Sequence, residues 1–281
     1  MAGRMPVFDN HFHLRPTGLG VAAAKQFEKA GGTAMMLTHS PYDDLPIRRA
    51  EDYDAAYART LAMARQVRDA TRLKVFVALG PYPVDLLPLR DAIGVEAAGA
   101  VLKKGIDLAA RRIASGEAVA LGEVGRPHFP VDADAWRASN EVMVHAFEVA
   151  KDGGFAVVLH TEDPTPETFA EFAAMADRAH LAPGRVVKHH STPLTRLADN
   201  HGLVPSILAK EELVVAAMAG GPRFLLETDY IDDPRRPGAV LGPATVPRKT
   251  RQWIENGLIT EDQARAIHQD LPQRTYGIRL E

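Results

Sequence analysis

The chain has 281 residues, of which 46% are hydrophobic and 25% charged, a globular composition long enough to bury a large core without disulfide staples. It contains no cysteine, which excludes disulfide frameworks, thiolate-held zinc and thiol nucleophiles. A formal net charge of −3 with no Lys/Arg-rich run argues against a dedicated duplex-DNA-binding module, though not against an enzyme that grips a few nucleotides in a cleft.

Short apolar runs alternate with longer Ala-rich amphipathic stretches. The first run, 7–9, leads into His11-Phe12-His13 and precedes a helical segment at 20–30. Strands then follow at 33–38, 74–79, 118–122, 156–160, 185–189, 203–208 and 223–228. Their nearly unbroken apolar character with β-branched residues is that of strands buried on both faces of a parallel sheet. Helices are predicted at 52–70, 94–115, 133–152, 166–180, 194–200, 211–220 and 261–269, with Asp132 or Asp134 as N-cap of the third of these. Gly-Gly pairs at 31–32, 153–154 and 220–221 fall where helices should stop. Eightfold alternation in one chain of this length predicts an α/β fold, a single-domain (β/α)8 TIM barrel over residues 1–281. The Pro/Arg-rich stretch 232–248 reads as a long loop at the catalytic face, with a terminal helix beyond it. No Gly-x-Gly-x-x-Gly or Walker-type loop follows a strand, which weakens a dinucleotide-binding reading. Charges punctuate every apolar run and MAGRMPVFDN lacks an apolar signal core, so a cytoplasmic protein with no membrane partner is expected.

In such a barrel the functional side chains sit at the C-terminal ends of the strands. Strand one ends in His11 and His13, which point to one face because they are two apart. Strand four ends in Glu123, strand five in His160, strand six in His189-His190 and strand eight in Asp229. Any single one of these histidines reads most simply as a hydrogen-bonded core residue. Together they form a set of imidazoles and carboxylates suited to Zn, Mn, Ni or Fe. The set is too large for one tetrahedral ion with an open position. It fits two ions ~3.5–4 Å apart that clamp an in-line displacement and activate water. The assignment places His11, His13 and Asp229 on one ion, His160 and His189 on the other, and Glu123 between them as bridge and catalytic carboxylate. Asp229 is also the candidate general base. Strand alternation puts His189 and His190 on opposite faces, so only one of the two is a ligand and the other, His190 in this assignment, is a candidate for substrate contact.

The segments DNHFHL, ALGEVG, VVLHTE, VVKHHS and LLETDY resemble those of TatD-like metal-dependent hydrolases, within the amidohydrolase superfamily. The likeness runs from His11 to Asp229 and extends to the tail GLITEDQARAIHQDLPQRTYGI. It implies a TIM barrel, one or two divalent ions (Zn, Mg, Mn or Ni) and hydrolysis of ester-type bonds, with deoxyribonucleases among family members. Carried over motif by motif, it gives the same ligands: His11, His13, Glu123, His160, His189 and Asp229. The chain departs from the family after ALGEVG, where Arg126-Pro127-His128 replaces the usual Leu-Asp-type pair. Arg126 either binds an anionic group of the substrate or pairs with a neighbouring acid, and His128 is close enough in sequence to reach substrate.

The expected activity is divalent-metal-dependent hydrolysis of phosphodiester bonds, on a small molecule or a nucleic-acid end. The alternatives are a metallohydrolase of a small lactone, amide or phosphate ester, and a non-catalytic metal-binding barrel. Arg235, Arg236, Arg248 and Lys249 are cations that either meet phosphate or stay solvated.

Overall fold

In the computed structural model the described residues are 5–280, so the first four residues of the N-terminal stretch lie outside them. Strands β1 (Phe8–His13), β2 (Ala34–Thr38), β3 (Lys74–Leu79), β4 (Ala120–Gly125), β5 (Ala156–His160), β6 (Val186–Lys188), β7 (Val204–Leu208) and β8 (Leu225–Glu227) pair in parallel with their sequence neighbours. A short β9 (Tyr230–Ile231) continues β8 after a break and pairs in parallel with β1. The eighth strand therefore binds β7 with its first half and β1 with its second, which closes the curled sheet into the expected α/β barrel. Every crossover carries helix, as parallel pairing requires. The helices are α1 (Val21–Ala30), α2 (Asp52–Ala70), α3 (Leu86–Ile93), α4 (Val95–Ala114), α5 (Ala133–Gly153), α6 (Pro166–Arg178), α7 (Leu197–Asn200), α8 (Glu211–Met218), α9 (Thr245–Glu255), α10 (Glu261–Arg265) and α11 (Leu271–Tyr276). Among the described residues no helix is long and apolar enough to cross a membrane.

The alternation of each strand sorts its side chains into two cores. Phe12, Met35, Leu37, Val75, Val77, Leu121, Val157 and Leu159 face the helices. Phe8, Ala34, Met36, Ala78, Ala120, Ala156, Val158, Val187 and Leu225 face inward. Leu271, Tyr276, Ile278 and Leu280 pack against this inner set, so the C-terminal segment plugs one end of the barrel. At the other end the inward rows continue from Val158 to His160, from Val187 to His189, and from Leu225 to Glu227. The same period-2 rule that fills the core thus delivers polar side chains to the cavity.

Two bulges adjust that rule. The β1–β2 register shifts between Asp9 and Phe12, and the β4–β5 register shifts between Leu121 and Val124. Each extra residue turns the strand, and bulges of this kind re-aim side chains beside active sites. Here they set His11 and Glu123 inward while Phe12 and Val124 keep the outer core. The β4 bulge depends on Gly122, where a Cβ would stand 2.7 Å from Val158 Cβ.

Two segments differ from the sequence expectation. The stretch read as loop to residue 248 becomes α9 from Thr245, with Pro247 in its first turn, where a missing N–H costs nothing. Residues 86–93, for which no element was expected, form α3, again with a proline in the first turn. Asp132 is the N-cap of α5, its carboxylate accepting from the Asp134 and Ala135 N–H groups.

A buried polar chain climbs the barrel interior from the plug. Tyr276 OH donates to Asn10 Oδ1 at 2.7 Å, Asn10 Nδ2 donates to Ser206 Oγ at 2.9 Å, and Ser206 Oγ donates to Glu227 Oε2. Tyr276→Phe keeps the ring but leaves Asn10 Oδ1 short of a donor. It should cost about 1–3 kcal/mol, read as a lower urea midpoint at unchanged slope. An unchanged midpoint would show that the chain adds nothing to stability.

Candidate metal centre

Five strands bring their ends to one cavity of about 460 Å³, within the usual range for small-molecule sites. Its walls include His13, Arg15, Tyr82, Glu123, His128, His160, His189, His190 and Asp229. Three groups of side chains offer donor atoms within 4.8 Å of one another: His11, His13 and Asp229; Glu123, His160 and His189; and His11, His189 and Glu227. All six ligands expected from the sequence are therefore brought together.

Glu123 stands at the centre. Its Oε1 is 2.6 Å from His11 Nε2, 3.4 Å from His13 Nε2 and 3.6 Å from His189 Nε2, while its Oε2 is 3.1 Å from His160 Nδ1. The imidazole nitrogens also crowd each other, with 3.2 Å between His11 Nε2 and His13 Nε2 and 3.1 Å between His160 Nδ1 and His189 Nε2. Several lone-pair nitrogens aimed at one space, with carboxylates among them, form a donor set that cations satisfy better than shared protons do. The outer nitrogens carry the orienting bonds. His13 Nδ1 meets the Thr38 carbonyl at 3.0 Å, and His160 Nε2 meets His128 Nδ1 at 2.9 Å. These contacts leave His13 Nε2 and His160 Nδ1 to face the centre. His11 Nδ1 and His189 Nδ1 are buried without a hydrogen-bond partner. The residues present thus fit divalent ions, with Glu123 placed to be shared.

The electrostatics agree. Burial alone would raise the Glu123 carboxyl, but the charges of His160 and His189 and hydrogen bonds from His11 and His13 hold it well below the ordinary carboxylate value. Asp229 is held below its ordinary value against burial by hydrogen bonds with His13 and His190. Burial opposes charge on His13, yet its bonds to Asp229 and Glu123 push its pKa up to about 10. His189, buried beside His11, is lowered to about 4.

The remaining sequence candidates divide. His190 lines the cavity with its Nδ1 3.1 Å from Asp229 Oδ2, while its N–H donates to Glu227 at 2.7 Å. His128 is exposed at the mouth against His160. Arg126 is not brought to the cavity. It is buried on the helix side of the barrel, forked to both Glu162 and Glu171, with its guanidinium carbon 3.8 Å from the Trp136 ring centre. Arg235 and Arg236 line the mouth, but Arg248 and Lys249 do not line the cavity.

Sequence reasoning missed Glu227. It is fully buried, 3.4 Å from His189 Nδ1, and it stands two residues before Asp229 on the same inward row. That spacing matches His11 and His13 and was the signal available.

The family model described as TatD related DNase matches residues 8–277, and the chain belongs to that family. Members of this family, within the amidohydrolase superfamily, are metal-dependent hydrolases, and this chain carries the residue groups to hold metal. It is 37% identical to an uncharacterised protein of Methanocaldococcus jannaschii, MJ1127, over 99% of this chain and 98% of that one. In fold it is similar to the TatD homologue YJJV of Escherichia coli K12, with TM-score 0.67, 20% identity and coverage of 97% and 98% of the two chains. It is also similar to an organophosphorus hydrolase from Deinococcus radiodurans, with TM-score 0.66, 15% identity and coverage of 98% and 94%.

If Glu123 joins the groups, Glu123→Ala should abolish metal binding, whereas His160→Ala should retain part of it, both read as metal per chain by elemental analysis. Equal loss in the two variants would refute a shared ligand. Chelation should lower the melting temperature, by the equivalent of about 2.7 kcal/mol when free metal had stood at 100 times its Kd. In the metal-free protein the lowered Glu123 and Asp229 carboxyls bind fewer protons folded than unfolded. Their contribution is complete above the ordinary carboxylate pKa of about 4 and is lost as pH falls below it, so its melting temperature should drop on acidification.

Proposed function

We propose that this chain hydrolyses phosphodiester bonds, its cavity receiving a small phosphodiester or the end of a nucleic-acid strand. The observation that carries this reading is the joined donor set, Glu123 touching both the His11–His13 and the His160–His189 pairs with Asp229 beside them. His11, His13 and Asp229 would hold one divalent ion and His160 and His189 the other, with Glu123 shared. Such ions (Zn, Mg, Mn or Ni) polarise a phosphoryl oxygen and lower the pKa of water. The family's description as a DNase supports the phosphodiester.

The chain's own residues supply orientation and proton transfer. Asp229 faces the cavity with Oδ1 3.6 Å from His13 Nε2 and Oδ2 3.1 Å from His190 Nδ1. It takes the proton of the attacking water as general base and returns it to the leaving oxygen as the P–O bond breaks, while His190, its side chain 44% exposed, holds the carboxylate in place through Nδ1. Tyr82 packs edge-on against His160, 5.0 Å between ring centres, and walls the cavity.

A second reading, a small phosphate ester, lactone or amide, is favoured by one feature. Asp43, Asp163 and Asp233 also line the cavity and would repel a long polyanion. The similarity to a protein named an organophosphorus hydrolase is in keeping with it.

The test is kcat/KM on single-stranded DNA, bis(p-nitrophenyl) phosphate, an organophosphate triester and a lactone with each divalent metal. Phosphodiesters should lead. Asp229→Asn should lower kcat by about 100-fold or more in the molecules that remain metal-loaded. Faster turnover of the triester or lactone would replace the phosphodiester reading. Full activity of Asp229→Asn would remove the general base.

A further inference from the structure

We propose that Arg15 is an anion subsite beside the metal centre, one that takes a second phosphoryl group of the substrate. This deepens the phosphodiester reading and rests on it.

Arg15, Arg235 and Arg236 are the arginines along the cavity wall among the described residues. Two of them are exposed and already paired. Arg235 Nη2 is 2.6 Å from Asp43 and 3.1 Å from Asp233, and Arg236 Nε is 3.3 Å from Asp233. Arg15 is different. Its side chain is only 11% exposed, and its Nε is buried with no hydrogen-bond partner. The nearest carboxylate, Asp233, lies 4.0 Å from Nη1 and is already engaged by both neighbouring arginines. A guanidinium carries five N–H donors in a fixed fork, and an arginine so buried with its Nε unpartnered and no carboxylate in hydrogen-bond range is under-satisfied. An oxyanion entering from the cavity meets the Nη groups.

The loop that carries this side chain is also positioned in advance. Arg15 lies two residues beyond His13, so it extends the row that His11 and His13 begin and opens onto the same cavity. Its loop is fixed by Asp232, whose carboxylate accepts from the backbone N–H groups of Arg15 at 3.1 Å, Leu19 at 2.7 Å and Gly20 at 2.7 Å. Gly18 permits that approach, since a Cβ there would lie 2.3 Å from the Asp232 carboxyl carbon. A planar fork held in place matches a phosphoryl group in two parallel bonds, which a lysine cannot do. With the scissile phosphate at the metal groups, Arg15 takes the next phosphate, such as the terminal one of a strand.

The experiment uses the full chain loaded with metal and compares the dinucleotides pTpT and TpT, which differ by a terminal phosphate. The native protein should prefer pTpT. In Arg15→Ala the ratio of kcat/KM values should collapse by about tenfold or more, with Arg15→Lys intermediate. Calorimetric titration with thymidine 3′,5′-bisphosphate and thymidine 5′-monophosphate gives a readout without turnover. The bisphosphate should bind more tightly, and Arg15→Ala should erase the difference. Metal content is measured on each variant. A ratio that follows metal loss, or one that persists in Arg15→Ala together with the bisphosphate preference, overturns the subsite. If neither dinucleotide is cleaved, the phosphodiester reading fails, while the nucleotide titrations still decide whether Arg15 binds the second phosphate.

Discussion

Asp9 carries the seam between the first strand and the last. Its Oδ1 accepts the Thr228 N–H at 3.0 Å and lies 3.3 Å from the His11 N, and its Oδ2 accepts the Thr228 hydroxyl at 2.8 Å. At this point β8 has left β7 and β9 has not yet joined β1, so the carboxylate stands in for missing ladder bonds. One carboxyl group therefore fixes the backbone of His11 against the residue that precedes Asp229. Without that registration, two of the donor groups would have no common position. Burial pushes the Asp9 carboxyl up to about 8 even against these bonds, with the charge of Glu227 adding to the rise. Three other acids, Glu123, Glu227 and Asp229, are buried among the donor groups and held below their ordinary pKa values, so they stay charged there. That concentration of carboxylates draws cations to the centre.

The geometry is held under strain. His190 and Asp229 both adopt left-handed backbone conformations, with φ of 48° each, and they face one another across 3.1 Å. Such residues cost about 1–3 kcal/mol apiece and persist where the surroundings over-determine them. Here the surroundings are Glu227, which accepts the His190 N–H, and Asp9, which holds Thr228. Glu227 is itself tied through Ser206 and Asn10 to Tyr276 in the C-terminal plug. The tail that seals one end of the barrel thus helps to orient His190 at the other.

Most of the fold was legible because strands buried on both faces leave continuous apolar runs, and the candidate ligands follow those runs directly. The stretches that escaped carry prolines that read as breakers but sit in first turns, as Pro88 does in α3 and Pro247 in α9. In the candidate site, parity decided what could be read. His11, His13, His160, His189 and Asp229 end inward rows, so their types alone exposed them. Arg126 follows Glu123 by three positions, an odd step that sends it to the helix side, where Glu162, Glu171 and Trp136 enclose it. Its place there could have been read from alternation. Arg15 and Glu227 lie on inward rows at even steps from named ligands. They were passed over because one falls beyond its strand and the other was read as part of the strand. What no spacing rule supplies is the pairing of Arg235 with Asp43, which joins loops far apart in the chain.

That last pairing bears on where selectivity is exerted. Arg235 and Asp43 are 67% and 66% exposed, and a pair so exposed adds little stability and is screened by salt. The pair therefore breaks at little cost. Arg15 and Glu123 lie deeper, with side chains 11% and 5% exposed, where the effective dielectric is lower and a misplaced or missing charge is felt more strongly. Short-range discrimination between small ligands accordingly belongs to the interior of the cavity rather than to its rim. On the proposed reading, the net charge of −3 does not bar an anionic substrate, because the local field at the cavity wall would be set by Arg15 and by the ions that the carboxylates and imidazoles would hold.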